Sequence, residues 1–337
     1  MKLRDADWPI FGWTDDIRPV LARARRENRT VALATIVALE GSAPRLAGTQ
    51  MVFGGGEASG HFSGGCIEAD IANHAAGVVR TGEAAVLRYG RESPWIDIRL
   101  TCGAGMEILV EAIAPDDPGI ARLLELASGR SAAIYTSDGR RRAADPYFAE
   151  PCLSYVRDPL RLTLSFEPPW RLVVVGGDPT ALAIAQLAQQ AGLATTLLRP
   201  GGPQSPPPVG CSDYRNGDAL VTLKGLAPDP WTAVALALHE PDIEHPLLIA
   251  ALRSEAGYVG VLGAAARLAG RRRQLEQAGL TPSELARLRA PMGVARCGKA
   301  PWEVAVSVVA EILEARAVGQ TRVPVAETAD GRGVQHR

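Results

Sequence analysis

Apolar and polar positions follow two rhythms along this chain, and the change comes near its middle. In the first half, "DDIRPVLARARREN" sets Ile17, Val20, Leu21 and Ala24 at helical spacing, so one face of a helix is expected there. "TVALATIVAL" and "MVF" read as strands, "GSAPRLAGTQ" between them as a loop, and "GGGEASG" as a turn. From Ile67 the apolar positions Ile71, Ala75 and Val78 recur with helical period, and "TG" at 81–82 closes that helix. "AAVLRYG" and "GMEILVEAI" are further strands. The pattern predicts a mixed α+β domain over 1–125 and a connecting region of weaker strands over 126–167. "EPPW", Glu167 to Trp170, makes a boundary, because proline breaks both helix and ladder.

Beyond it, strand and helix alternate. "RLVVVGG" is a strand, "PTALAIAQLAQQAG" a helix ended by Gly192, and "LATTLL" the next strand. "TAVALAL", "DIEHPLLIAALRSEAG" and "YVGVLG" repeat the pattern, and strands this apolar belong to a parallel sheet covered on both faces. "TPSELARL" carries a capping box, with Thr281 as cap, Pro282 at the first helical position and Glu284 three residues after the cap. "RPGGPQSPPPVG" is a loop, and "PWEVAVSVVAEILEAR" a long, largely buried helix. The expected fold class is α/β: an N-terminal mixed α+β domain, then a C-terminal Rossmann-like domain with a parallel sheet over 168–318, then a polar tail over 319–337. No internal repeat is evident.

Composition narrows the classes of function. A length of 337 residues with 47% hydrophobic content supports two ordinary cores. A formal charge of -1 offers no field for a polyanion, which argues against nucleic acid as a partner. The most basic run, "GRRR" at 270–273, reads as a solvated helix face. The opening "MKLRDADWPIFGW" lacks the apolar stretch of a signal peptide, and no apolar run approaches the about 18 residues of a membrane span. The five cysteines, at 66, 102, 152, 211 and 297, form no C-x-x-C pair and suit a reduced cytoplasm better than a disulfide framework or zinc knuckle.

The strand–turn–helix at Leu172 to Gln190 invites a dinucleotide reading, in which Gly176 and Gly177 would contact the nucleotide. The fingerprint wants glycine where this chain has Gly176, Asp178 and Ala181; alanine is allowed at the last, but a carboxylate at the second adds bulk and repels an anion. Arg199, at the end of the next strand, leaves NADP open. His239 sits at the carboxyl end of a strand beside Glu240 and Asp242. That trio reads either as a proton-transfer or phosphate-contact cluster or as a cap for a helix starting near Ile243.

The first domain sets thiols in glycine. Cys66 follows Ser63, Gly64 and Gly65, whose N–H groups at a helix start would bind an anion and favour a thiolate. Cys102 stands beside Gly103 and Gly105, and "GSAPRLAG" adds Ser42 and Arg45, a guanidinium able to fork onto a phosphate or carboxylate. Such thiols suit a soft metal or a sulfur-bearing ligand; zinc needs more ligands than the pair supplies. His61 and His74 are further donors in reach of the sequence argument, and a cysteine nucleophile with a histidine base remains open.

These residues resemble the XdhC/CoxI family of molybdenum-cofactor maturation factors for hydroxylases of the xanthine dehydrogenase type. "GSAPRLAGTQM" is similar to the family's Gly-Ser-Ser-Pro-Arg stretch, "FSGGCIE" to its Ser-Gly-Gly-Cys-hydrophobe-Glu motif, and "TCGAGMEILVE" to its Cys-Gly-Gly segment. "YVGVLGAAARLAGRRRQLEQAGLTPSELARLRAPMGV" resembles the ending of its Rossmann domain, and the match runs from about Thr30 to Arg316. The resemblance implies a cytoplasmic, dimeric chaperone that binds the molybdenum cofactor (molybdopterin), protects its sulfurated form and delivers it to an apo molybdenum hydroxylase. A cysteine desulfurase-like protein would donate the sulfur. By the same resemblance Cys66 and Cys102 are candidate metal contacts, Ser42, Arg45, Gly64 and Gly65 pterin or phosphate contacts, with Ser63, Gly103 and His239 beside them. The departures fall in the second domain: "GGDP" replaces Gly-Ala-Gly-His, "LHE" keeps only His239 of Thr-His-Asp, "GAA" replaces Gly-Ser-Arg, and Cys297 is added.

Three functions follow for testing. The first is a binding chaperone without turnover and without a catalytic residue. The second is an NAD(P)-dependent oxidoreductase working through the Rossmann-like half, with Asp178 as the feature against it. The third is a sulfur or acyl transferase centred on Cys66.

Overall fold

The computed structural model describes residues 15–41, 43–63, 65, 67–90, 105–294 and 297–320. The chain divides into two compact units between Pro168 and Pro169.

The first unit begins with α1 (Arg18–Arg26), whose Leu21 and Ala24 are buried as the helical spacing predicts. β1 (Val31–Glu40) is buried from Val31 to Val37, which marks it as a central strand. β2 (Gln50–Gly54) and β3 (Glu57–Gly60) follow. The sequence pattern takes "GGGEASG" whole as a turn; instead only Gly55 and Gly56 turn the chain, both at positive φ, and Glu57–Gly60 pairs back on Met51–Gly54 as a hairpin. Two adjacent left-handed residues make the tight turn that suits strand twist.

Next come α2 (Glu68–Thr81), β4 (Ala85–Gly90) and β5 (Gly105–Ile113). Gly82, left-handed at φ 73°, ends α2 where the sequence places its end. α3 (Pro118–Ser128) is an element the sequence pattern passes over; Asp117 caps it by accepting from the Ile120 N–H, with Pro118 in the first turn. It runs through residue 125, where that pattern draws a domain edge. β6 (Ala133–Ser137), β7 (Arg142–Pro146), β8 (Leu153–Val156) and β9 (Arg161–Phe166) then form an antiparallel sheet in the order β7-β6-β9-β8. Residues 126–167 therefore sit inside the first unit.

The five-stranded sheet, in the order β3-β2-β1-β5-β4, carries a core on each face. Ala32, Ala34 and Ile36 of β1 pack with Ile71, Ala75 and Val78 of α2. The alternate residues Val31, Leu33 and Val37 pack with α1, α3 and the four-stranded sheet. This is the period-2 alternation of a strand buried on both sides.

The second unit alternates strand and helix. In chain order it has β10 (Arg171–Val175), α4 (Pro179–Gln190), β11 (Ala194–Leu198), β12 (Asp213–Arg215) and α5 (Ala219–Gly225). β13 (Thr232–Leu236), α6 (Pro241–Arg253), β14 (Tyr258–Val261), α7 (Leu268–Gln277), α8 (Pro282–Ala286), β15 (Leu288–Arg289) and α9 (Pro301–Gln320) complete it. All pairings in its six-stranded sheet are parallel, in the order β12-β11-β10-β13-β14-β15. This is the Rossmann order 3-2-1-4-5-6, as the apolar strands predict. α4 and α9 cover one face, and α5, α6 and side chains from α7 and α8 the other. Among the described residues no helix is long and apolar enough to cross a membrane.

Candidate functional site

The stretch Phe62–Glu68 is organised by a residue outside the sequence expectations. Glu68, the first residue of α2, has no solvent exposure. Its Oε1 accepts from the backbone N–H of Phe62 at 3.1 Å and of Ser63 at 2.6 Å. Its Oε2 accepts from Ser63 Oγ at 2.8 Å, Gly65 N–H at 2.9 Å and Ile67 N–H at 3.3 Å. Buried Phe62 and Ile67 anchor the two ends of this turn, and Gly65 stands at φ 108°, a region closed to most side chains. The amides of Ser63 and Gly65, which the sequence suggests are open to a ligand anion, thus bind an anion that the chain supplies. Cys66 and Gly64 lie outside the described residues.

The strand registers show what else lies at this end of the sheet. β1 is antiparallel to β2 and to β5, with Glu40 opposite Gly105. β3 returns to place Gly60 opposite Met51, and Gly90 of β4 stands opposite Gly105. Glu40, Gln50, Gly60, Gly90 and Gly105, the strand ends that flank 41–49, 61–67 and 91–104, therefore all face the same end of one sheet. Those three segments hold Ser42 and Arg45, Ser63 to Cys66, and Cys102 and Gly103. Ser42, Cys102 and Gly103 also lie outside the described residues.

The charged and polar side chains of this unit form pairs of their own. Arg45 meets Asp15 through its terminal nitrogen, while its buried Nε has no hydrogen-bond partner in the described residues. Arg88 donates to Glu40 at 2.7 Å and to Glu107 at 3.0 Å, tying β4, β1 and β5 together beside Gly105. Tyr89 donates to Asp70 Oδ2 at 2.7 Å, and burial followed by this bond pushes its hydroxyl far above the usual tyrosine range. His74 Nε2 lies 3.6 Å from the same oxygen, and His61 is half-buried. Among the described residues no group of three or more His, Cys, Asp or Glu side chains is placed to hold a metal ion, and Cys152, Cys211 and Cys297 are free.

In the second unit, Gly176, Asp178 and His239 meet at the carboxyl ends of the adjacent strands β10 and β13, the switch point where such sheets bind ligands. A Cβ on Gly176 would stand 2.3 Å from the Ala237 carbonyl oxygen, so glycine is required for the strands to pack. Asp178 caps α4: its Oδ1 accepts from Ala181 N–H at 2.8 Å, and its Oδ2 lies 3.0 Å from His239 Nε2. The helix start that would receive a pyrophosphate holds a carboxylate instead. The Arg199 side chain lies over Gly177, where a Cβ would come 2.4 Å from its Nε. α6 begins at Pro241 rather than near Ile243, and Glu240 precedes it without a side-chain cap; Glu240 instead accepts from the His239 N–H at 3.2 Å.

The architecture defines a two-unit α/β protein: antiparallel sheets with a turn closed by Glu68, then a Rossmann-type sheet whose phosphate turn is internally filled. Residues 24–90 match the XdhC and CoxI family, and residues 172–312 match the XdhC Rossmann domain; the chain belongs to this family. Over 311 residues it is 28% identical to the molybdenum cofactor insertion chaperone PaoD of Escherichia coli (strain K12), spanning 90% of each chain. It is 24% identical over 332 residues to a probable xanthine dehydrogenase subunit of Bacillus subtilis (strain 168), spanning 86% of this chain and 94% of that one. A crystal structure of a xanthine dehydrogenase from Bacillus halodurans shares the fold, with a TM-score of 0.70 at 19% identity over 92% of this chain and 97% of the other.

Proposed function

We propose that this protein is a molybdenum-cofactor chaperone that binds its cargo at the loop end of the first unit. The delivery step passes the cofactor, in sulfurated form, to an apo molybdenum hydroxylase of the xanthine dehydrogenase type. The observation that carries this reading is that the three glycine-bearing segments join strands at the same end of one sheet. Similarity to an insertion chaperone over 90% of both chains supports it.

The residues suit such a cargo. Cys66 and Cys102 supply soft sulfur for a metal already held by sulfur, and the buried Arg45 Nε, without a hydrogen-bond partner among the described residues, is a donor left over for a phosphate. The phosphate does not go to the Ser63 and Gly65 amides, which Glu68 occupies. Ser42, Gly64 and Gly103 extend the same surface, a cysteine desulfurase-like protein is the sulfur source in this scheme, and the working form is a homodimer. The oxidoreductase alternative finds no support in the second unit, where Asp178 takes the position of the pyrophosphate and Arg199 covers Gly177. Of the residues at this switch point, Gly176 is packed against Ala237 and Gly177 lies under Arg199, so the exposed His239 is what that unit offers to a partner or to the cargo.

The test is cargo content. Protein made in cells that synthesise molybdenum cofactor is purified anaerobically and assayed for molybdenum and oxidised pterin, beside Cys66→Ser and Cys102→Ser. Near-stoichiometric cofactor in the wild type, lost in either variant, is expected. A wild-type protein that comes out empty from cells rich in cofactor overturns the reading.

A further inference from the structure

We propose that the layer formed by α4 and α9 is the face through which two copies of this chain pair, each α9 lying over the partner copy's α4. This deepens the function proposed above: it rests on the homodimer in that reading and makes no use of the cargo.

The two faces of the six-stranded sheet are covered by helices of opposite character. The layer of α5 to α8 turns Lys224, Asp242, Arg253, Arg272, Arg273 and Glu276 to solvent, the usual charged outside of a surface helix. α4 contains no charged residue, and its outward positions Gln186 and Gln190 are neutral. α9, which packs beside it, is apolar on both sides. Ala305, Val308 and Ile312 are buried in the core beneath, while Trp302 and Val306 are 52% and 51% exposed. The half-buried Ala310 and Leu313 continue the line of Trp302 and Val306 at helical spacing, so one apolar stripe runs along the outside of the helix. A helix that is apolar all round belongs in an interior. Depletion of charge is also what sets the core of an interface apart from ordinary surface.

Charge selects the occupant. Glu311 turns inward, accepting from the Tyr258 hydroxyl at 2.6 Å and the Gly293 N–H at 2.7 Å. Glu303 and Glu314 are exposed and, three helical turns apart, share one edge of the stripe. A two-fold contact sets a surface against itself, so like charges must be kept from meeting. With the axis running along the α4–α9 pair, the two acidic side chains come over a helix without charge, and the four helices close as a small bundle with a polar rim. The stretch 321–337 of this chain is a poor cover for the stripe. Val323, Val325 and Val334 are its large apolar residues, set among Arg322, Glu327, Asp330, Arg332 and Arg337.

The experiment measures the mass of the full-length protein by sedimentation equilibrium over a concentration series, with molybdenum per chain assayed on the same anaerobic samples. Wild type is compared with Val306→Glu, Gln186→Glu and Val221→Glu. The first puts a carboxylate in the stripe, and the second puts one on α4 facing the partner copy's acidic edge. The third makes the same change at a 69% exposed valine of α5, in the other layer. The wild type is expected to be a dimer. Val306→Glu is expected to raise its dissociation constant about 100-fold or more, and Gln186→Glu about 10-fold. Val221→Glu is expected to leave it unchanged.

A wild type that stays monomeric throughout the series overturns the inference, and so does a dimer that Val306→Glu leaves intact. An equal weakening by Val221→Glu overturns it too, since the effect would not belong to this layer. A dimer indifferent to Gln186→Glu overturns the placement of α9 over the partner copy's α4. Should Val306→Glu not fold, Trp302→Ala removes the largest exposed side chain of the stripe; a weakened dimer supports the inference and an unchanged one overturns it. The two readings fail separately. A dimer without molybdenum removes the carrier and leaves the face standing, whereas a monomer rich in molybdenum does the reverse.

Discussion

The turn before α2 and the turn before α4 look alike in sequence, each glycine-rich and each leading into a helix, yet they are closed in different ways. Glu68 is buried inside its turn and binds that turn's own backbone amides. Asp178 sits at the rim, with one oxygen on the helix and the other facing an imidazole whose side chain is 75% exposed. The first carboxylate is part of the turn's shape; the second is a cap that a competing anion could displace. A glycine-rich turn therefore implies an external anion only after its amides have been accounted for.

The sharpest way to break this comparison is to remove each carboxylate. Glu68→Ala strands several buried donors, and the first unit is expected to lose about 3 kcal/mol or more, read from chemical unfolding with a probe in that unit. A loss under about 1 kcal/mol would mean that the turn closes by other means.

Glu111 of β5 separates burial from bonding. It is as buried as Glu68, but its Oε2 has no partner among the described residues, while its Oε1 meets Ser137 and lies 3.3 Å from Arg142 Nε. Burial pushes its carboxyl above the ordinary 4.5, against the pull of Arg142. The folded protein then holds this proton more tightly than the unfolded chain. Its contribution is full below about pH 4.5 and lost as pH rises through the raised folded value. Glu111→Gln is expected to flatten that slope in Tm against pH, and to cost about 1 kcal/mol at neutral pH, well below the Glu68 variant. A slope that survives the substitution assigns the titration elsewhere.

Asp178→Ala removes a helix cap and is expected to cost about 1 kcal/mol, confined to α4 in amide exchange. His239→Ala comes last, at under about 0.5 kcal/mol, because an exposed pair contributes little. An Asp178 effect as large as that of Glu68 would erase the distinction between the two turns.

Much of the second unit was legible because its signals are local. Apolar strands, Gly192 and the Thr281–Glu284 capping box each declare themselves within a few residues, and the box forms with both of its hydrogen bonds. α3 offers a weaker signal of the same kind, Asp117 followed by Pro118 with no capping-box glutamate. α7 buries only Leu275, so it shows almost no apolar period. The glycine loops were legible as chemistry, but that their flanking strands share a sheet end depends on β1 pairing with β5 across some seventy residues of sequence. Glu68 was hidden for a different reason. A glutamate after a cysteine motif reads as a polar first-turn residue, and only the fold reveals that the turn wraps around it.

The pairing of β1 with β5 also sets an order of events during synthesis. β1 has β2 on one side within twenty residues of chain, but its other side stays open until Gly105–Ile113 has emerged. A nascent chain that stops short of this point exposes a long apolar strand edge, the kind of surface that recruits unwanted partners. The loop end of the sheet cannot be complete before the fifth strand has joined it. Fragments ending before residue 105 are expected to aggregate, a liability that a cell meets whenever translation of this chain stalls early.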